Sequence, residues 1–425
     1  MNTRLYNARI LTMEKGKDIF FGEIGISDEK IVYVGTGEDA PALVWDEEID
    51  CNGNLLMPGF KNAHTHSAMT LLRSYADDVP LDTWLNEKIF PVEAKMTGED
   101  IYHLTKLAIL EYVTSGVTAV FDMYLSPEDT AKACMEMGMR LVMVSGTNNF
   151  SSSVEKQEEE YLKWNNAHPL VSYRLGCHAE YTCSKELLQN LSVLAHKYSA
   201  PVYMHLAETK AEVQGCKERH GVTPAVFFES LGLFDFGGGG YHCVHMTEDD
   251  MAVFQRRRLY VVTNPASNAK LASGIAPIKA YVDKKISVAI GTDGPASNNC
   301  LDMFREMFLV AGLSNIVTED AASIPTMEIL NMATVNGAHA MGLKDCDVLA
   351  KDKLADIIMI DLHQPNMQPI HNVAKNVVYS GSKSNVAMTM VHGKILYRNG
   401  EFFMGTDAEE IYATCDKIAQ RIGLK

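Results

Sequence analysis

Two histidines two positions apart, His64 and His66, are the clearest sign of chemistry in this sequence. On an extended segment residues i and i+2 point to the same face, so both imidazoles can bind one metal ion. A third imidazole from His205 and a carboxylate from Asp293 would complete a set of three nitrogen ligands and one oxygen ligand. Such a set suits zinc and also accepts iron or manganese. The sequence therefore predicts a divalent-metal site built from distant segments.

A site of this kind predicts a hydrolase, because a bound divalent ion lowers the pKa of water to about 7 and supplies hydroxide at neutral pH. Glu208, three residues after His205, is the expected general acid and base. Its alternative role is that of a carboxylate stabilising a helix N-terminus. His242 is expected to orient the hydroxide. Asp293 is expected to take its proton and pass it to the leaving group.

One ion is expected rather than two, and a serine nucleophile is not expected. The fourth predicted strand ends in Gly176-Cys177-His178. It therefore lacks the lysine that commonly bridges two metals in barrel hydrolases. No Gly-x-Ser-x-Gly elbow occurs, so a Ser-His-Asp triad has little support.

The candidate ligands need a fold that brings distant strand ends together, and the middle of the chain has the pattern of one. From residue 58 to about 345, short apolar runs alternate with segments of helical period, which is typical of βα units and a parallel sheet. Eight such runs predict a (β/α)8 barrel of the TIM type, whose active site lies at the C-terminal ends of the strands. The runs are 55–63, 117–123, 140–145, 173–177, 201–206, 241–244, 259–263 and 286–292.

Both ends of the chain instead predict short β-strands, and we expect them to pair into one small β-sandwich. The predicted domains are residues 1–57 and 348–425 for the sandwich and 58–347 for the catalytic barrel. A helix at 408–422 is expected to close the chain, and the four glycines at 237–240 are expected to form a flexible connector. The terminal strand runs are 4–12, 20–26, 30–34, 355–361, 373–379, 386–391 and 394–398.

The composition excludes several other classes of protein. A formal charge of −16 argues against binding to nucleic acid or an anionic membrane surface, which needs clustered Lys and Arg. The nine cysteines show no Cys-x-x-Cys pair, which favours a reducing compartment. No segment has the apolar length of a signal peptide core or a membrane span. We expect a soluble, cytoplasmic protein.

Several motifs give the chain a resemblance to the amidohydrolase superfamily, and within it to the S-adenosylhomocysteine/methylthioadenosine deaminases and their chlorohydrolase-like relatives. The likeness runs nearly end to end, and five motifs in the same order make it strong. They are Met57-Pro58-Gly59-Phe60 before His64-Thr65-His66, then His205-Leu206-Ala207-Glu208, Asn264-Pro265-Ala266-Ser267-Asn268, Gly274-Ile275-Ala276-Pro277 and Gly291-Thr292-Asp293-Gly294.

The resemblance implies deamination of an adenosine-type nucleoside by a homo-oligomer. It assigns the metal to His64, His66, His205 and Asp293, and the chemistry to Glu208 and His242, in agreement with the roles inferred from strand ends. It also implies that Trp84 lines the 5'-side of the substrate, that Glu93 accepts the ribose hydroxyls and that His178 meets the substrate. A core aromatic and a surface helix residue are the alternative interpretations of Trp84 and Glu93.

The sequence departs from its relatives where the amino-acid carboxylate of S-adenosylhomocysteine would bind. Residues 145–153 contain no arginine, and Lys156 offers only a flexible point charge. Adenosine, methylthioadenosine and 5'-deoxyadenosine are therefore favoured over S-adenosylhomocysteine. Thr263 also stands where many relatives have histidine. The alternatives are a deaminase or chlorohydrolase acting on guanine, cytosine, a pterin or a triazine, and a non-catalytic scaffold.

Overall fold

A computed structural model describes residues 1–38, 40–80 and 83–425 of the 425-residue chain. Its strands form two sheets, one from the middle of the chain and one from both ends. The strands are β1 Asn2–Ile10, β2 Phe20–Ser27, β3 Lys30–Gly35, β4 Glu47–Asp50, β5 Leu55–Pro58, β6 Phe60–Thr65, β7 Val117–Asp122, β8 Arg140–Val144, β9 Val171–Gly176, β10 Val202–Leu206, β11 Gly238–His242, β12 Tyr260–Thr263, β13 Ser287–Ile290, β14 Ile357–Ile360, β15 Val386–Val391, β16 Lys394–Arg398 and β17 Glu401–Phe402.

Helices connect the strands of the middle sheet and cover its outer face, as expected for βα units. No described helix is both long and apolar enough to cross a membrane. The α-helices are Phe90–Glu93, Gly98–Thr114, Pro127–Met137, Val154–Trp164, Lys185–Tyr198, Lys210–His220, Pro224–Ser230, Glu248–Arg257, Pro265–Lys270, Ile278–Asp283, Pro295–Asn298, Met303–Thr318, Thr326–Ala333, Val335–Met341, Val373–Tyr379 and Ala408–Ile422. Short helices of the 3-10 or π type are Ser67–Leu72, Trp84–Ile89, Glu180–Thr182, Lys344–Cys346, Pro365–Met367 and Lys383–Asn385.

Hydroxyl side chains mark the start of several barrel helices. Each accepts a hydrogen bond from a backbone N–H of the first turn, which has no partner within the helix. The capping residues are Thr97, Ser153, Ser184, Thr209 and Thr247. The local sequence thus fixes the residue at which each of these helices begins.

The strands β6 to β13 form the barrel, in parallel and in chain order. Its two end strands, β6 and β13, are joined through side chains and the loop after β13. Asp293 N–H donates to the His64 carbonyl at 3.0 Å. The Asn62 amide donates to Thr292 Oγ1 at 2.7 Å and accepts from Thr292 N–H at 2.9 Å. The nearly closed barrel confirms the predicted (β/α)8 class.

The two ends of the chain pair in one nine-stranded mixed sheet, as expected. Its order is β17-β16-β15-β14-β5-β1-β2-β3, with β4 beside β1. A buried ionic group joins this sheet to the barrel. Arg140 at the start of β8 binds Asp356, next to β14, through two hydrogen bonds of 2.7 and 2.8 Å, and Lys61 lies 3.9 Å from the same carboxylate. Our division into residues 1–57, 58–347 and 348–425 stays a prediction.

The predicted run 55–63 was wrong as a single strand, because the chain changes sheets within it. β5 pairs with β1 and β14, whereas β6 pairs with β7. Gly59 lies between them, where a Cβ atom would come within 2.1 Å of Thr118. The close packing at the change of sheet therefore requires glycine.

Two other predicted elements were also wrong. The run 373–379 is a helix, begun by Asn372, whose side chain accepts from Lys375 N–H. Three of the glycines expected to form a connector lie in β11 itself. A Cβ atom on Gly238 would lie 1.9 Å from the Val202 carbonyl oxygen, and one on Gly239 would lie 2.3 Å from that of Tyr260. Neighbouring backbones, rather than flexibility, explain these glycines.

Candidate metal centre and active site

The barrel gathers most of the predicted functional residues at the C-terminal ends of its strands. Because parallel strands end at the same rim, their last side chains come close together. His64 lies in β6, with His66 just after it. His178 follows β9, His205 lies in β10, His242 ends β11 and Asp293 follows β13.

Two groups of three possible ligands overlap at His64. One is His64, His66 and Asp293, the other is His64, His205 and His242, and within each the ligand atoms lie within 4.8 Å of one another. Asp293 Oδ1 is 3.1 Å from His66 Nε2 and 3.5 Å from His64 Nε2. The His205 ring centre is 4.9 Å from that of His64 and 5.5 Å from that of His66. The four predicted ligands are therefore neighbours, and His242 lies beside them.

Hydrogen bonds orient three of the imidazoles. In each, Nδ1 donates to a protein oxygen, which leaves Nε2 free to bind metal or accept a proton. His66 donates to the Met123 carbonyl, His205 to the His178 carbonyl at 2.7 Å and His242 to the Asn268 side-chain oxygen at 2.8 Å.

The environment of His64 tests whether a cation fits here. Its ring is fully buried and stacks on Tyr241 with centres 3.8 Å apart, and neither ring nitrogen has a hydrogen-bond partner among the described residues. Burial lowers its pKa to about 3, against the opposing effect of Asp293. A neutral, unpartnered buried imidazole needs an explanation, and a metal bond would satisfy one of its two nitrogens. The donor set of imidazole nitrogens and one carboxylate therefore fits a divalent ion.

Asp293 presents one oxygen to the histidines and has the other fixed by serines. Burial lowers the pKa of His66, but Asp293 and the Met123 carbonyl outweigh it and raise that pKa to about 9. Burial would raise the pKa of Asp293, yet the two histidines hold it well below its usual value. Its Oδ2 accepts hydrogen bonds from Ser267 at 2.6 Å and Ser297 at 2.7 Å. The carboxylate is thus ionised and held in one orientation.

Glu208 lies next to the imidazoles, as expected of a group that exchanges protons with a substrate. Its Oε1 accepts from Ser273 Oγ at 2.9 Å, and its Oε2 is 3.8 Å from His242 Nε2. The backbone N–H groups of Ala207 and Glu208 donate to the buried Glu212 carboxylate at 2.7 and 2.8 Å. Glu212 therefore fixes the backbone that carries Glu208.

The three residues predicted to contact substrate differ in their relation to this centre. The His178 ring is 4.9 Å from that of His205. Glu93 is half-buried and accepts a hydrogen bond of 2.8 Å from Tyr124 OH, whose ring lies 6.3 Å from that of His66. Trp84 is 5% exposed and packs in the main hydrophobic core, and no described hydrogen bond or ring contact joins it to the histidines.

Several supporting residues were missed from the sequence. Ser267 and Asn268 stood within a quoted motif and Ser297 three residues after another, but nothing in the motifs showed that they would contact Asp293 or His242. Glu212 lies in the first turn of a helix, where a carboxylate is common for other reasons. Tyr124, just after β7, carried no signal beyond its place near a strand end.

Comparison with known proteins agrees with this geometry. The amidohydrolase family matches residues 55–396. A 5-methylthioadenosine/S-adenosylhomocysteine deaminase of Moorella thermoacetica is 41% identical over 404 residues, covering 93% of this chain and 94% of the relative. The protein of the same name from Desulforamulus reducens is 42% identical over 397 residues, covering 92% of each. A crystal structure of an adenosine deaminase from Xanthomonas campestris with bound zinc has a TM-score of 0.94 and 31% identity, covering 99% of this chain and 98% of that one.

Proposed function

This chain belongs to the amidohydrolase family and is a metal-dependent hydrolase, and we propose that it deaminates an adenosine-type nucleoside to the inosine-type product and ammonia. The observation that carries the proposal is the pair of ligand triads that share His64, with Glu208 beside them. The names of relatives about 40% identical over nearly the whole chain, and of the zinc-bound structure, support the same reaction class.

We assign one divalent ion, zinc, to His64, His66, His205 and Asp293. When bound, such an ion acts as a Lewis acid and lowers the pKa of a water molecule to about 7. Asp293 Oδ1 faces the histidines while Ser267 and Ser297 hold Oδ2, so the carboxylate can accept a proton without turning. From there the proton would pass to the departing amine.

Glu208 is assigned as the general acid and base. Ser273 holds its Oε1, and its Oε2 lies 3.8 Å from His242 Nε2. A carboxyl group there can give a proton to a ring nitrogen of the purine, so that C6 becomes electrophilic. Because His242 donates through Nδ1 to Asn268, its Nε2 can accept a hydrogen bond from the attacking water and orient it.

Glu93 and His178 are assigned to the nucleoside, Glu93 to the ribose hydroxyls, because a carboxylate that accepts two hydroxyls makes strong hydrogen bonds. Trp84 is assigned to the 5'-side. Arg174 does not supply a partner for an amino-acid carboxylate, since its guanidinium donates to the carbonyls of Tyr173 and Met341 at 3.1 and 2.9 Å. Neutral 5'-groups, as in adenosine, methylthioadenosine and 5'-deoxyadenosine, are therefore expected to be preferred over S-adenosylhomocysteine.

The proposal is tested by measuring ammonia released by the zinc-loaded protein from adenosine, methylthioadenosine, 5'-deoxyadenosine, S-adenosylhomocysteine, guanine and cytosine, with metal-stripped protein as the control. We expect the three nucleosides with neutral 5'-groups to have the highest kcat/KM. Turnover of guanine or cytosine without turnover of any nucleoside would overturn the substrate assignment. A protein without stoichiometric metal and without turnover would be a scaffold.

A further inference from the structure

A buried carboxyl group that is not among the proposed catalytic residues connects two of the βα loops that carry those residues. Glu306 lies in the helix Met303–Thr318 and is 0% exposed. Its Oε2 accepts a hydrogen bond from Ala266 N–H at 3.0 Å, in the short helix Pro265–Lys270 of the βα loop after β12. Its Oε1 accepts from Asn298 Nδ2 at 2.8 Å, in the short helix Pro295–Asn298 of the βα loop after β13. One side chain thus holds both loops at a fixed separation.

Each of these contacts lies one residue away from a serine that holds Asp293. Ser267 follows Ala266 and Ser297 precedes Asn298, and both hydroxyls donate to Asp293 Oδ2. Asn298 Nδ2 also donates to the Thr292 carbonyl at 2.6 Å, directly before Asp293. Any shift of either loop relative to the helix would therefore move a serine away from the carboxylate.

We propose that Glu306 is a positioning residue that keeps Asp293 Oδ1 directed at the histidines by fixing Ser267 and Ser297. The inference rests on the proposed function in that Asp293 is a metal ligand. Removing a residue that hydrogen-bonds to a metal ligand commonly lowers metal affinity 10- to 100-fold. A carboxyl group suits this role because its two oxygens accept from both loops at once, one from Ala266 N–H and one from Asn298 Nδ2.

The test compares zinc affinity in Glu306→Gln, Ser297→Ala and the double variant, measured by competition with a chromogenic chelator. The glutamine keeps an oxygen for Ala266 N–H but turns an NH2 group toward Asn298, so only one loop stays held. We expect the zinc dissociation constant to rise about 10- to 100-fold. We expect the zinc affinity of the double variant to be only slightly lower than that of the single variant that binds zinc more weakly, because both substitutions act through the same oxygen, Asp293 Oδ2.

Asp250→Asn is the matched control. Asp250 is also 0% exposed, and its oxygens accept from backbone N–H groups and hydroxyls of neighbouring segments, Ala225 N–H at 3.1 Å, Thr223 Oγ1 at 2.6 Å, and Thr247 N–H and Oγ1 at 2.9 and 2.8 Å. It should lower the unfolding temperature without changing the zinc dissociation constant. If Glu306→Gln gives no folded protein, Asn298→Ala, which removes one of its two donors, should show the same loss of zinc affinity.

Unchanged zinc affinity in Glu306→Gln, or in Asn298→Ala where that variant replaces it, overturns the proposal. So does strictly additive behaviour with Ser297→Ala. These measurements need no substrate, so a failure to find nucleoside turnover would leave them intact. Conversely, normal deamination with unchanged zinc affinity would overturn only the role of Glu306.

Discussion

The ionic group between barrel and terminal sheet provides a quantitative test of how the two parts are held together. Asp356 and Arg140 are buried, with 0% and 3% of their side chains exposed, and Lys61 is 0% exposed. Asp356→Asn keeps the shape of the side chain but removes its charge. The guanidinium of Arg140 and the ammonium of Lys61 would then lie buried without a counter-charge.

Breaking a buried ion pair on one side destabilises a protein by about 3–5 kcal/mol. The pKa of Asp356 gives a second value for how much this ionic group stabilises the fold. Burial would raise it, but Arg140 and Lys61 outweigh burial and lower it from 3.8 to about 2, which corresponds to about 2 kcal/mol. Since the folded pKa is the lower one, this contribution is present above about pH 4 and is lost as the pH falls toward 2. The substitution should cost more than protonation, because an amide cannot bind the guanidinium with two charged oxygens.

The assay is urea unfolding of the metal-free protein at pH 7, so that zinc binding does not contribute. We expect Asp356→Asn to lower the unfolding free energy by about 3–5 kcal/mol. Asp416→Asn is the control, since Asp416 and Lys425 form an exposed pair with 60% and 54% of their side chains accessible, and it should change stability by less than about 1 kcal/mol. A loss in Asp356→Asn no larger than in the control would refute the reasoning.

Three further predictions concern the active site. Glu208→Gln should keep one zinc per chain by elemental analysis and lower kcat about 10²- to 10⁴-fold, whereas His205→Ala should lose both zinc and turnover. Normal turnover in Glu208→Gln, or a full complement of zinc in His205→Ala, would contradict these roles. Chelation should abolish ammonia release. It should also lower the unfolding free energy by about 4 kcal/mol compared with protein in zinc at 1,000 times the dissociation constant. Equal stability with and without zinc would exclude a zinc site in the folded protein. Tyr124→Phe removes the hydrogen-bond donor to Glu93 and should raise KM for adenosine about 5- to 10-fold. It should leave kcat/KM unchanged for 2',3'-dideoxyadenosine, which lacks the ribose hydroxyls. An equal effect on both substrates would show that Tyr124 has no role in ribose binding.

The barrel was predictable from sequence because its strands are buried on both faces and read as short apolar runs. The run 373–379 shows where that reasoning fails. Its valines favour a strand, but the buried residues Val373, Ala374, Val377 and Val378 recur at the spacing of a helix face. Period, rather than β-branched composition, decided the structure there.

The closeness of the candidate ligands was predictable because parallel barrel strands end at one rim. The groups behind them were not. Whether Ser267 and Ser297 reach the same oxygen depends on how two loops, after β12 and β13, meet in space. The role of Trp84 stays a prediction, since the resemblance implied a contact with the substrate and the side chain packs in the main hydrophobic core.

The join between β6 and β13 has a consequence for how the protein exchanges its ion. Elsewhere in the barrel neighbouring strands share backbone ladders, but here a side-chain amide and a few loop hydrogen bonds connect residues 230 positions apart. Local opening is easiest where such bonds are few. His64 and His66 lie on one side of the join and Asp293 on the other, so widening it separates the ligands themselves. Opening of this join would therefore move the proposed ligands apart, and we expect amide exchange there to slow when an ion is bound.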